Sequence, residues 1–298
     1  MPGAAPSRER SRTAPRKASA AAPARRRSRG GSASKRGQET AGRGGLAGYL
    51  QQSQTPLASL WFVLPLLVLH EWGVQSYATL AGEGIQYRNV AFTMVTQFLA
   101  SCGATGRYLP ALAVVAILVS WHIARRDRWV FDTPLLVLLG SMFLESLALA
   151  IPLVGVYFMF ASSGVSVMAA GEWKLMASLY LGAGVYEELV FRLGAFAVLS
   201  FLLLDVCGVS RGRGVALVVG LSALGFAGYH LWGAAQYPYP ALVFVALRGI
   251  YYGIIFHSRG FGISVGVHTA YDLIFLLVRE VETGGLKLFS SPEIGRSL

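Results

Sequence analysis

Charge is scarce in this chain. Only 14% of its 298 residues are Asp, Glu, Lys or Arg, against 54% hydrophobic, so an ordinary water-facing surface is excluded over most of its length. Cysteine is scarcer: Cys102 and Cys207 stand alone and far apart, matching no disulfide framework and no zinc-ligand spacing. No repeat of 20 to 50 residues is visible. What the chain has instead is long apolar runs, the mark of a polytopic membrane protein.

The net charge of +11 suggests a nucleic-acid binder until its placement is read. Residues 1–44 hold twelve of the 26 Lys and Arg, with Arg25, Arg26, Arg27 and Arg29 nearly contiguous, against only Glu9 and Glu39. The rest of the chain is close to neutral. A segment so poor in large apolar side chains cannot offset the entropy of ordering, so residues 1–50 are predicted to be a disordered basic tail. Beside a membrane span such a tail attracts anionic lipid and sets a cytoplasmic N-terminus; no nucleic acid is expected. It is too long and charged for a secretory signal, and Pro2, Pro6, Pro15 and Pro23 would break the helix of a transit peptide.

Apolar runs predict spans near 57–80, 108–124, 134–160, 173–206, 214–233, 240–257 and 261–279. Residues 89–104 form either an interfacial helix or an eighth span. The predicted fold is therefore all-α, a transmembrane bundle of seven to eight spans over 57–280, with a short C-terminal tail at 281–298. The 173–206 run is either one tilted helix or two pieces broken near Gly182 and Gly184. With the tail inside, inner loops carry Arg125, Arg126, Arg128, Arg211, Arg213 and Arg259, while outer loops carry Arg88, Arg107 and Lys174, in line with the positive-inside rule.

Ionisable residues within spans cost roughly 2.5–3.5 kcal/mol each at the bilayer centre by insertion scales, so their pattern is informative. Glu188 and Arg192, four apart, pair on one helix face, and Glu187 projects about 100° away toward another span. His268 and Asp272 share a face, as do Phe226 and His230. A Glu, a His and a His/Asp pair from separate helices converging on one cavity have the parts for peptide hydrolysis: a carboxylate to take a proton from water and donors for the oxyanion. Glu145, Arg248, His122 and His257 read as structural. His70-Glu71 begins an HExxH zinc motif, but Val74 occupies the second His position.

The segments Glu187-Glu188-Leu189-Val190-Phe191-Arg192, Phe226-Ala227-Gly228-Tyr229-His230 and His268-Thr269-Ala270-Tyr271-Asp272 resemble the EExxxR, FxxxH and HxxxN/D motifs of the CPBP intramembrane endopeptidases. That family holds the type II CAAX prenyl proteases and bacterial relatives linked to bacteriocin processing or immunity. The resemblance covers a catalytic core at 173–279. It implies that Glu187 and His230 activate water, that His268 and Asp272 support the transition state, and that Glu188, Arg192 and Phe226 support the site. The CAAX proteases carry Asn where this chain has Asp272, which favours Asp272 as the partner that orients His268. The mechanism implied is glutamate-dependent and needs no cofactor. Zinc is the alternative, with Glu187, His230 and His268 as ligands. The substrate implied is a membrane-associated peptide of the prenylated CAAX type, in a bacterial cytoplasmic membrane or a eukaryotic endomembrane or organelle. An ion-coupled transporter and a noncatalytic scaffold or immunity protein are the competing readings.

Overall fold

The computed structural model describes residues 45–80, 89–161, 173–231 and 239–282, all within the compact unit Gly42–Leu298. The predicted tail over 1–44 and the terminal residues 283–298 lie outside them. Residues 46–50, assigned to the tail by composition, instead begin a helix, α1 (Leu46–Ser53). There follow α2 (Pro56–Leu80), α3 (Val90–Ser101), α4 (Leu109–Arg125) and α5 (Leu135–Ala161). Then come α6 (Trp173–Glu188), α7 (Ala195–Ser200), α8 (Arg211–His230), α9 (Tyr239–Arg259) and α10 (Phe261–Glu282). No strand occurs among the described residues, so the fold is an all-α membrane bundle.

Six helical stretches among the described residues are long and apolar enough to cross a bilayer: Pro56–Ser76, Leu135–Phe160, Trp173–Val206, Arg211–His230, Tyr239–Arg259 and Phe261–Arg279. The shorter Val90–Ser101 and Leu109–Arg125 separate this count from the predicted seven to eight. They are not ornamental. The Gln52 side chain, just before α2, donates to the Thr133 hydroxyl at 3.1 Å and accepts from the Asp132 amide at 2.9 Å, just before α5. Both helices thus start at one face, and α3 and α4 must carry the chain back to it.

That face is locked by one cation. Arg259 at the end of α9 grips both oxygens of Glu145 on α5, at 2.5 and 2.8 Å, and donates to the Ser53 hydroxyl and the Leu50 carbonyl of α1 at 3.0 and 3.4 Å. Tyr49 completes the cluster by donating to Glu145. Burial and the adjacent carboxylate hold its hydroxyl well above the ordinary tyrosine range, so it keeps its proton. Gly260 then turns α9 into α10 in a single residue at φ +84°, with the Gln54 backbone 3.4 Å from where a Cβ would stand. Only glycine adopts that conformation without strain.

The 173–206 run does not break at Gly182 or Gly184. It continues from α6 through a π-helical turn at Leu189–Gly194, the short α7 and a second π-turn at Phe201–Val206. The two glycines serve close packing instead. A Cβ on Gly182 would fall 2.3 Å from Cε1 of His70 on α2, and one on Gly184 would fall 2.1 Å from the Thr269 hydroxyl on α10. Without water to drive helices together, lipid-embedded helices associate through such small-residue approaches. His70 fills the space beside Gly182, its Nδ1 2.7 Å from the Ser178 carbonyl and its ring edge-on to Tyr186. The incomplete HExxH pattern is therefore part of the α2–α6 contact. α10 sits at the centre of the bundle, touching α2, α5, α6 and α9, with 72% of its apolar window buried.

Candidate active site

Four helices bring ionisable groups to one place. α6 contributes Glu187 and Glu188 at its last two positions, where the π-turn begins. Extra-residue turns of this kind shift side-chain direction and occur often at functional sites. Central α10 contributes His268 and Asp272, one turn apart and on one face. α8 contributes Phe226, Tyr229 and His230, and α9 contributes Arg248.

His268 is the hub. Its Nδ1 lies 2.9 Å from one oxygen of Glu188. The other Glu188 oxygen accepts from the Ser264 hydroxyl and lies 3.5 Å from Nε of Arg192. Glu188 is an acceptor, so Nδ1 carries the proton and the ring orientation is fixed. Tyr252 stacks flat on the imidazole at 4.4 Å, with an interplanar angle of 18°. The opposite nitrogen, Nε2, lies 3.6 Å from Glu187 and 3.4 Å from Asp272. The sequence reading gives the orienting role to Asp272. In the structure Glu188 meets Nδ1 while Asp272 meets Nε2, because His268 lies between the two carboxylates.

The charged groups of the site differ in access. Glu188 and Arg192 are 0% exposed, whereas Glu187 and Asp272 keep 6% and 7%. Arg192 is sealed over the Phe226 ring at 4.4 Å and donates to the Gly249 carbonyl at 3.3 Å. This pair braces the site from within the core, and the other two carboxylates keep a slight exposure. Glu187 accepts a 3.3 Å hydrogen bond from the Tyr229 hydroxyl, which in turn accepts from the Ala91 amide at 3.0 Å. That couples α6, α8 and α3.

His230 is the outlying member. Its Nδ1 is 2.8 Å from the Phe226 carbonyl, so the proton sits there and Nε2 keeps its lone pair. Its ring packs edge-on against Phe226 at 4.7 Å, and Phe226 lies 5.9 Å from the His268 ring. Among the described residues His230 makes no hydrogen bond or ion pair with Glu187. Nor do any three His, Cys, Asp or Glu side chains among them stand as a metal-ligand set. Glu187, His230 and His268, the set named for zinc, are not such a group.

Arg248 is the residue that sequence reasoning misplaced. Read as a lone structural cation, it donates to Asp272 at 3.1 Å and approaches His268 Nε2 at 3.5 Å. A signal existed: a carboxylate such as Asp272 within an apolar span needs a counter-charge. Tyr229 likewise enters the sequence reading only as an unassigned position of the second motif. Glu145 did prove structural, as the Arg259 partner.

Buried carboxylates and imidazoles on neighbouring spans of a helical membrane bundle mark a candidate functional site. Residues 169–274, a little over a third of the chain, match the family model described as type II CAAX prenyl endopeptidase Rce1-like. This window contains every residue of the three motifs and Arg248. It agrees with the CPBP resemblance and points to CAAX-type intramembrane protease activity. No curated protein and no solved structure matches the chain.

Proposed function

We infer that the protein is an intramembrane endopeptidase that hydrolyses a peptide bond of a membrane-associated substrate of the prenylated CAAX type. The observation that carries this reading is the approach of Glu187 to Nε2 of His268, with Asp272 beside it, all three nearly buried and within the Rce1-like segment. Glu187 takes a proton from water as the water oxygen bonds to the scissile carbonyl carbon and the carbonyl pair moves onto its oxygen. When the tetrahedral species collapses, the C–N bond breaks and the amine nitrogen takes the proton from Glu187. The Nε2 lone pair of His230 accepts a hydrogen bond from the incoming water and aims it. The Nε2 side of His268 faces the reacting carbonyl, and Glu188 keeps the ring in place. All of this is built from side chains, with no metal or cofactor.

A lipid-modified substrate suits a second feature. α3, α4 and the π-turn after Glu188 flank an open apolar groove of about 840 Å³, lined by residues that include Phe98, Leu112, Leu189, Val190, Leu193 and Val198. It lies alongside the catalytic carboxylates in sequence and has the size of a small-molecule site. A prenyl chain held there would deliver the adjoining peptide to Glu187. We assign the α1 face to the cytoplasm of a bacterial membrane, with the basic tail on anionic lipid.

The test is incubation of purified protein in detergent with a library of membrane-anchored peptides. Cleavage by the unaltered protein is expected, lost in Glu187→Ala and strongly reduced in His230→Ala. Cleavage indifferent to both would reject the assignment. A strong chelator is expected to leave most activity in place; complete loss restored by zinc would overturn the metal-free reading.

A further inference from the structure

Attack on an amide carbonyl builds negative charge on its oxygen, and the site must supply donors there. Asp272, where the CAAX proteases carry Asn, is paired with Arg248 and as a carboxylate can only accept. Left to itself it would oppose the developing charge. His268 Nε2 faces two carboxylates, Glu187 and Asp272, so a hydrogen on it is already contested.

Two cations lie near enough to matter, and burial separates them. Arg192 is fully enclosed, with Glu188, the Gly249 carbonyl and the Phe226 ring around it. Arg248 retains 12% exposure of its side chain, beside the 10% of Asp272. Its Nη2 reaches Asp272 at 3.1 Å and lies 3.5 Å from the same His268 nitrogen that faces Glu187. Its guanidinium lies over the Tyr271 ring at 4.4 Å, with Tyr252 at 5.7 Å. Aromatic faces and a carboxylate together fix the plane of the fork. A guanidinium has five N–H donors, and the Asp272 contact engages one of its terminal nitrogens.

Building on the hydrolase reading above, we propose that Arg248 is a catalytic residue: its guanidinium donates to the scissile carbonyl oxygen as it becomes an oxyanion, and Asp272 holds that guanidinium in place. Arg248 neither gains nor loses a proton. The bonds formed and broken are those of the water attack and C–N cleavage already described. Asp272 and the arginine on the neighbouring helix are then one device, in which a carboxylate that cannot donate positions a cation that can.

Substitution of Arg248 alone would leave Asp272 unpaired and endanger folding, so the test rests on two double variants of equal charge. Arg248→Ala/Asp272→Ala removes both charges and every donor. Arg248→Ala/Asp272→Asn removes both charges and restores an amide donor. Each is purified, its fold checked by thermal melting, and its turnover measured on a fluorescence-quenched peptide bearing a farnesylated cysteine followed by three residues, in phosphatidylcholine vesicles. The Ala pair is expected to lose about 10²–10³ in kcat, the cost of removing one oxyanion donor, with KM little changed. The Asn pair is expected to recover at least about tenfold of that loss. Equal kcat in the two double variants, or wild-type kcat in the Ala pair, overturns the inference and leaves the hydrolase reading standing. No Glu187-dependent turnover by the unaltered protein overturns both.

Discussion

At the scale of single residues, Glu187 and Glu188 are neighbours with opposite duties. Glu188 is enclosed, bonded to His268 and Ser264, and set against Arg192. Glu188→Ala leaves the Arg192 cation buried without its carboxylate, which is expected to cost about 3–5 kcal/mol. A lowered melting temperature and a reduced yield of folded protein are the readouts. Glu187→Gln keeps the shape and the Tyr229 contact, so the fold is expected to survive while turnover does not. The pairing of Glu188 with Arg192 was legible in the four-residue spacing alone. The bond from Glu188 to His268 was not, because sequence spacing carries no information about how two helices are rotated against each other. Arg248 was hidden for the same reason: its partners are 20 and 24 positions away.

At the scale of elements, glycine positions set how closely the catalytic helices approach. Gly184 lets α6 press on α10 at Thr269, one residue from His268. Gly184→Val is expected to push the two helices apart, costing about 1–3 kcal/mol in packing. Since a misplacement of about 1 Å at a reaction centre can cost 10²-fold in rate, kcat is expected to fall about that much while the protein still folds, as measured by turnover per folded molecule. The sequence marked Gly182 and Gly184 as unusual but left open a break there; their use for close approach depends on what faces them. A second element-scale case is α1, held by Arg259, Glu145 and Tyr49. Glu145→Ala is expected to free it, raising protease cleavage within 46–53. The Tyr49 contribution is present below pH ~10, the free tyrosine value. It is lost as pH rises above that toward the higher value of the folded state, since the folded form holds the proton more tightly. Alkali is therefore expected to mimic Glu145→Ala in the same proteolysis assay.

At the scale of the whole molecule, the apolar runs located nearly every helix, because exclusion from water is written in composition. Span number was less legible, since α3 and α4 are short and only the Gln52 contacts to residues 132 and 133 reveal that they return the chain to the face of α1. That return places the end of α4 at the α1 face and its start, with Cys102 just before it, at the opposite one. Cys207, after the long 173–206 rod and before α8, lies at the α1 face. Both cysteines are free and exposed, so a membrane-impermeant maleimide is expected to label them from opposite sides of sealed vesicles; labelling of both from one side would contradict the topology. The convergence of the three motifs was legible in their order and residue types, while their contact had to await the packing of α6, α8 and α10. The central claim is that a shielded carboxylate at 187 activates water against a peptide bond. Its most direct test is release of the C-terminal tripeptide from a farnesylated peptide in vesicles, followed by mass spectrometry for wild type and folded Glu187→Gln. The account predicts release by the wild type and a loss of at least about 10³-fold in the variant, near the upper range for one general base; equal rates in the two would contradict it.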